Sequence, residues 1–497
     1  MELQFHKTLL PGLQLVKREV KNLEETQELR LSDGMPDIGR VLGAWGQVLL
    51  RSKEWRSGSA HVTGGVQVWV LYVPEDGVGV QCMQTWIPFH VKWDLPDTQV
   101  DGQIHAHCLL RSADARNTSS RKLMVRVNVG ILGQMWVPAE CSLYHPEELP
   151  EDICLLRRNY PVRMPRETGE KAFSLEEELT LPPSAPKMEK LLYYHLQPEL
   201  IERKLMADKV VFRGTGRLHA VYMGEDGNLH TWDFELPFSQ YSELEHEYEP
   251  GATAHILPAV TSLEMDADLE GRLQLKAGMT GQYMICDQSE LEVIEDAYSP
   301  FRAVIPHVDT MPLPVILDEQ QQTLGAEQTV QTEGSTIDLA YLPDHPYHLP
   351  AAGNTLGIPG QFQLLYRGAD GQLQSVTARG ETQWQLPGED TAVALTTVTP
   401  TGRPQVAHDG SGMVLSSDTL ANEVVLSGQG LSMVTGLQIG ETTTPDPDRP
   451  SLILRRAGES GLWALAKQTG STVERIREAN HLEGEPSPEQ LLLIPVI

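Results

Sequence analysis

The sequence predicts a mainly β protein: tandem β-rich, sandwich-like repeats with minor helices, followed by a small α+β module of β-α-α-β order. Three observations predict it. Val-, Thr- and Leu-rich runs lie between turn residues, and the 42 Gly and 34 Pro exceed what a helical bundle tolerates. A set of residues recurs at a constant spacing of 150. Residues 451–497 carry two short helical patterns between two short apolar strands.

The repeat is legible in two segments. Glu28, Leu29, Leu31, Pro36 and Leu42 recur as Glu178, Leu179, Leu181, Pro186 and Leu192. The same shift carries Gly64, Tyr72, Asp76 and Gly77 to Gly214, Tyr222, Asp226 and Gly227. A third, weaker copy aligns Phe362, Leu364, Tyr366, Asp370 and Gly371 with Leu218, Ala220, Tyr222, Asp226 and Gly227, and its Pro-led entry is not recognisable. Val68, Val70 and Tyr72 alternate, so they share one face of a strand. Asp-Gly four residues after each Tyr is a hairpin signal, because a tight turn needs the positive φ that Gly supplies without steric cost. The second strand then meets Ile87-Pro88, Leu236-Pro237 or Leu386-Pro387, where a missing N–H ends the strand or marks an edge. Trp86, Trp232 and Trp384 precede that step. They are read as core or edge packing rather than a sugar-stacking platform. Pro36 with Ile38, Val41 and Leu42, and Met188 with Leu191 and Leu192, predict a short helical turn in each unit. Pro-bearing polar stretches at Tyr160–Gly169, Ala297–Pro314 and Glu441–Pro450 are read as linkers. The expected domains are then 1–160, 170–297, 314–440 and 451–497.

In the last segment, Leu452 to Arg455 reads as a strand and Gly458-Glu459-Ser460 as a turn. A helix follows with Leu462, Leu465 and Ala466 on one face, closed by Gly470. Ser471 and Glu474 read as a capping box opening a second helix that turns Val473, Ile476 and Ala479 inward. Leu491 to Ile497 is the closing strand.

The formal charge of -29 disfavours nucleic acid and anionic membrane surfaces as partners and suits a basic one. The start, MELQFHKTLLPGLQLVKREV, has no basic region followed by an apolar one, so a signal peptide is not expected. The most apolar stretch, Val66 to Val73, falls far short of the roughly 20 residues of a membrane helix. A cytoplasmic chain without membrane insertion is the expectation. The 5 cysteines lack paired spacing and are read as buried or idle thiols. His105 and His107, alternate residues of a strand, lack a third metal ligand and are read as an exposed face. The carboxylates at Glu176 to Glu178 and Glu243 to Glu249 are read as solvated faces. No catalytic motif is found, so neither an enzyme nor a cofactor is expected.

Two resemblances follow from these residues. Gly458-Glu459-Ser460, Leu462-Trp463-Ala464-Leu465-Ala466, Ala479-Asn480-His481-Leu482 and Leu491 to Pro495 resemble the LysM family in order and spacing. That resemblance implies a groove for N-acetylglucosamine-containing glycan lined by Gly458, Glu459, Ser460 and Leu462 on one side and Asn480, His481 and Leu482 on the other; Leu462, at the helix start, fits the core as well as the groove wall. Trp463, expected on the far side of the first helix, is the candidate protein contact. The run from Leu29 through Pro36 to Leu42, the Gly-led strand ending in Leu71-Tyr72, and Ile87-Pro88-Phe89 resemble the SPOCS domain. SPOCS repeats with a C-terminal LysM module are similar to the layout of SipL-like spore-coat proteins of Firmicutes. The resemblance implies a non-enzymatic scaffold at the forespore surface of a mother cell, with a SpoIVA-like coat ATPase or another coat protein as partner. A peptidoglycan-binding protein of the cell or spore wall is the alternative.

Overall fold

A computed structural model describes the chain except Met1, 97–100, 268–271, 312–315, 345–354, 386–391, 410–411, 428–430, 443–449 and Ile497. It is mainly β. After β1 (Glu2–Gln4), six strands form a first unit: β2 (His6–Arg30), β3 (Ile38–Arg56), β4 (Ser59–Pro74), β5 (Gln81–Asp94), β6 (Gln103–Ser119) and β7 (Lys122–His145). A second unit holds β8 (Cys154–Thr180), β9 (Met188–Met206), β10 (Lys209–Gly224), β11 (Leu229–Glu243), β12 (Thr253–Ala267) and β13 (Arg272–Tyr298). After β14 (Arg302–Met311) comes a third: β15 (Ile316–Val330), β16 (Gly334–Pro343), β17 (Thr355–Gly368), β18 (Leu373–Gln385), β19 (Ala392–His408) and β20 (Met413–Ser427). Then follow β21 (Leu431–Thr442), β22 (Leu452–Arg456), α1 (Gly461–Thr469), α2 (Val473–Asn480) and β23 (Leu491–Pro495).

One strand order recurs in all three units. The second, third and fourth strands form an antiparallel meander, β3-β4-β5, β9-β10-β11 and β16-β17-β18. The first strand pairs with the sixth and the sixth with the fifth, giving β2-β7-β6, β8-β13-β12 and β15-β20-β19. The two sheets of a unit pack face to face through β3 on β6, β9 on β12 and β16 on β19. The apolar stretch at Val66 to Val73 is β4, a middle strand whose Val66, Val68, Val70, Leu71 and Tyr72 are all fully buried. Its edge neighbour β5 instead alternates, with Ile87, Phe89, Val91 and Trp93 inward and Pro88, His90, Lys92 and Asp94 outward.

The Asp-Gly hairpins join β4 to β5, β10 to β11 and β17 to β18. Gly77, Gly227 and Gly371 have φ of +73°, +74° and +75°, and a Cβ at each meets no atom within 4 Å. Asp76, Asp226 and Asp370 each accept a hydrogen bond from the backbone N–H two residues on, at 3.0, 3.1 and 3.0 Å. Tyr72 and Tyr222 donate to the carbonyls of Pro36 and Pro186 at 3.0 and 3.2 Å. Tyr366, on the corresponding strand, donates to Gln374 Oε1 at 2.8 Å instead.

Several expectations are corrected. No helical turn follows Pro36 or Pro186, and both described helices lie after residue 460. Ile38 to Leu42 begins β3, where bulges against β4 fall between Ile38 and Arg40 and between Val41 and Gly43. Each bulge inserts a residue, so inward positions fall three or four apart and mimic a helical face. Met188 to Leu192 opens β9 with the same bulges. Tyr160–Gly169 is not a linker but part of β8, paired with β13. Its Pro161 and Pro165 are tolerated because β8 is an edge strand. Pro88 and Pro237 mark edge strands, one of the two outcomes expected of them, and end neither strand. Most of Ala297–Pro314 is β-structure, because Arg302–Met311 pairs with β21, which also pairs with β1. Leu386-Pro387 lies outside the described residues.

The three units close on one another in one rotational sense. β12 of the second packs on β3 of the first, and β6 of the first on β16 of the third. The turn in β19 of the third unit meets β9 of the second, where Gly402 N–H donates to Glu199 Oε1 at 2.8 Å and Gln197 Nε2 donates to the Pro400 carbonyl. Head-to-tail contacts of like units that return to the start make a ring, here within one chain. His105 and His107 serve this closure and are buried, not exposed: His105 is hydrogen-bonded to Thr168 of the second unit, and His107 donates to the Val398 carbonyl of the third at 3.1 Å.

Candidate functional site

The C-terminal module is built on the antiparallel pair β22–β23, in register from Leu452 opposite Pro495 to Arg456 opposite Leu491. Leu492 and Ile494 turn inward against Leu462, Leu465 and Ala466 of α1 and Ile476 of α2, all buried. Gly470 ends α1 in the left-handed conformation, φ +63°, with its N–H on the Ala466 carbonyl. The cap of α2 is Thr472, whose hydroxyl accepts from Arg475 N–H at 3.3 Å. The expected capping box of Ser471 and Glu474 is therefore corrected to a simple cap at Thr472, with Arg475 at the third helical position, and the Ser471 hydroxyl instead donates to the Pro495 carbonyl. His481 ends α2 at φ +52°, the one non-glycine with positive φ among the described residues. Leu482 N–H then bonds the Arg477 carbonyl at 3.0 Å.

The predicted groove residues divide by role. Gly458, Glu459 and Ser460 are exposed at the turn before α1, and His481 is exposed beyond α2. Leu462 is a correction: it is 1% exposed and belongs to the core, not the groove wall. Asn480 braces the fold. Its amide donates to the Leu493 carbonyl at 2.6 Å and accepts from Leu493 N–H at 2.7 Å, tying the end of α2 to β23. Leu482 packs half-buried against the core. Between the two loops stands Glu485, which the sequence reading missed. Its carboxylate takes the Arg477 guanidinium at 3.0 Å and faces Leu462 N–H at 3.5 Å, covering the open N-terminus of α1.

Trp463 is the second correction. It is not an exposed anchor but docks the module onto the end of β13. Its indole N–H donates to Asp296 Oδ2 at 2.8 Å, and its ring meets Tyr298 edge-on with centroids 4.7 Å apart. Lys467 reaches both Asp296 oxygens at 2.7 Å, and the Tyr298 hydroxyl donates to the Ser471 carbonyl at 3.0 Å. Burial alone would raise the Asp296 pKa; the Lys467 ammonium and the Trp463 N–H outweigh it and hold the carboxyl below its usual range. The apolar residues left in water are on the outer sheet face: Leu452, Leu454, Leu491 and Leu493 are 50, 63, 58 and 36% exposed.

A second cluster had no sequence signal, since its members lie on five strands of two units. His219 on β10 has Nδ1 2.6 Å from Asp233 Oδ1 and Nε2 2.9 Å from Asp338 Oδ1 on β16. The Tyr193 hydroxyl donates to the other Asp338 oxygen, and Arg403 pairs with Asp233. Burial would depress the His219 pKa, but the flanking carboxylates override it and raise the imidazole to about 9. Burial would raise Asp338, but the His219 charge and the Tyr193 hydrogen bond hold it at about 2. Elsewhere, burial pushes the Cys82 and Cys108 thiols up to about 12, far from a reactive thiolate. Trp86 is half-buried beneath the Arg51 guanidinium, 5.1 Å from its ring centroid, and Trp232 is buried. The side chain of Trp384 lies outside the described residues. Among the described residues no group of three His, Cys, Asp or Glu is placed to hold a metal, and no helix is long and apolar enough to cross a membrane.

No family model, curated protein or solved structure matches the chain.

Proposed function

We propose that the chain is a non-enzymatic assembly scaffold of the spore envelope, built from three SPOCS-like units and a LysM-like module, and held at the forespore surface by protein contacts. The partner is a SpoIVA-like coat ATPase or another coat protein. The observation that carries the protein-binding part is the outer face of β22–β23. Four leucines stand there in water while Trp463, the expected anchor, is spent within the chain. Exposed apolar patches of this kind mark interaction sites. The spore location rests on the resemblance of the motifs alone.

A glycan-binding reading has its own support, because Gly458, Glu459, Ser460 and His481 remain open. Against it, Glu485 stands between the two loops, its carboxylate taken up by Arg477 and by Leu462 N–H at the start of α1. A pull-down from sporulating cells with the full chain separates the two. Under the scaffold reading, Leu454→Glu with Leu493→Glu abolishes recovery of the coat ATPase, Ser460→Ala does not, and neither variant is retained on purified peptidoglycan. Retention of the intact chain on peptidoglycan, with no coat protein recovered, overturns it.

A further inference from the structure

Where the three units meet, they enclose a cavity of about 270 Å³. That is just below the roughly 300–1,000 Å³ of drug-sized ligand sites, room for a single small ring. The same rung of each unit reaches it: His105 opposite Gln134 on β6–β7, His255 opposite Met284 on β12–β13, and Thr397 opposite Asn422 on β19–β20. His105 and Gln134 become His255 and Met284 at the 150-residue spacing of the repeat, so the cavity lies on the axis about which the units close.

The rungs present different chemistry. Gln134 of the first unit is 8% exposed, lines the cavity and makes no hydrogen bond among the described residues. Thr397 and Asn422 of the third unit are half-buried and their side chains are equally unpaired among those residues. Neighbouring polar groups are used within the chain. Gln282 holds the N–H and the carbonyl of Ala106 at 2.8 and 2.9 Å, and His105 is bonded to Thr168. The second unit contributes an apolar wall of Leu200, Leu257 and Met284, with the exposed Ile201 beside it.

The charged groups of the lining are matched. Glu199 takes the Arg217 guanidinium at 2.8 Å and the Gly402 N–H at 2.8 Å, and Glu202 faces Arg213 at 3.6 Å. Arg203 and His255 are engaged by other groups. Burial holds His105 at about 3, so it is uncharged at neutral pH. A buried amide without a partner is costly, and two amides and a hydroxyl facing one space offer donors and acceptors together. Water alone fits poorly, because each ordered water needs about two to four polar partners and the Leu200 and Met284 wall offers none. A molecule with hydroxyls around its edge and C–H groups on its face satisfies both sides.

We propose that this axial cavity binds a small uncharged polyhydroxy compound, the size of a hexose or a cyclitol. Its hydroxyls bond Gln134, Thr397 and Asn422, and its C–H face lies on Leu200 and Met284. The site is independent of the C-terminal module and its leucine face. The ligand touches all three units, and a ligand bound only by the folded ring adds its binding energy to that state.

Calorimetric titration of the full chain at neutral pH tests this, with glucose and myo-inositol as neutral probes and glucuronate and glucosamine as charged analogues of glucose. At least one neutral probe is expected to bind. Both charged analogues are expected to bind at least about tenfold more weakly than glucose or inositol, whichever is tighter, because a charge there loses water and gains no counter-charge. Gln134→Leu keeps the side-chain volume and breaks no hydrogen bond within the chain. Its thermal midpoint is expected to stay level or rise, while affinity for the neutral probe falls at least about tenfold. Asn422→Ala, in the third unit, is expected to weaken the same probe, and it carries the test should Gln134→Leu fail to fold. Ser460→Ala, in the C-terminal module, is expected to change nothing. Absence of binding by both neutral probes, equal affinity for a charged analogue, or wild-type affinity in the folded cavity variants overturns the proposal. So does loss of binding in Ser460→Ala, which puts the sugar on the module instead.

Discussion

At the scale of single residues, the three Asp-Gly hairpins show how little side-chain chemistry a position can need. A Cβ at Gly77, Gly227 or Gly371 meets nothing, so a substitution there costs only the left-handed backbone. Each Gly→Ala change is expected to destabilise its hairpin by roughly 1 kcal/mol. Native-state hydrogen exchange of the flanking strands checks this, and unchanged protection would refute it. The paired tyrosines differ in kind. Tyr222→Phe removes one hydrogen bond to a backbone carbonyl, a loss of about 1 kcal/mol at most. These residues were legible in the sequence because turn chemistry is local: Asp, Gly and the preceding Tyr lie within six positions of each other. Leu462 was not legible in the same way, because a leucine at a helix start fits both a groove wall and a core, and only the packing of β23 behind it decides.

At the scale of elements, strand alternation was readable, but bulges were not. An extra residue in β3 turns a period of two into spacings of three and four, and Ile38, Val41 and Leu42 then carry a helix-like pattern on an extended chain. Prolines misled for a related reason. On an edge strand the missing N–H faces away from the ladder, so Pro161 and Pro165 sit within a continuous strand that composition marks as a linker. The β-α-α-β order was legible from local caps and apolar spacing, whereas its seat on β13 depends on Asp296 and Tyr298, more than 160 residues away. Asp296 is the one acceptor shared by Trp463 and Lys467. Asp296→Ala is therefore expected to loosen the module without unfolding the units. Amide exchange in α1 should rise about tenfold, equivalent to ~1.4 kcal/mol, while β4 stays protected. Equal acceleration in both would mean that Asp296 supports the whole fold rather than the dock.

At the scale of the whole molecule, the ring is closed between its second and third units by titrating groups, which makes its stability depend on pH with a definite sign. His219 is raised to about 9 in the folded chain from about 6.5 when unfolded, so its contribution is complete below roughly pH 6.5 and is lost as pH rises through 9. Asp338 is held at about 2 against about 3.8 unfolded, so its contribution is complete above roughly pH 4 and is lost as pH falls through 2. The cluster is thus strongest between about pH 4 and 6.5 and weakens on the alkaline side first. The groups facing His219 from the neighbouring strands bear on this. His195, depressed to about 4, stays neutral across that alkaline range, and Arg403 pairs with Asp233 rather than with His219. The thermal midpoint of the full chain is expected to fall between pH 7 and 9.5. In His219→Gln the midpoint should start lower and change less over that interval, because glutamine keeps a hydrogen-bonding side chain but carries no proton to lose. Asp338→Asn should flatten the same interval, since the imidazole then loses the carboxylate that raises its pKa. A wild-type midpoint that climbs from pH 7 to 9.5, or variants that keep the full wild-type slope, would show that the His219 charge does not hold the second and third units together.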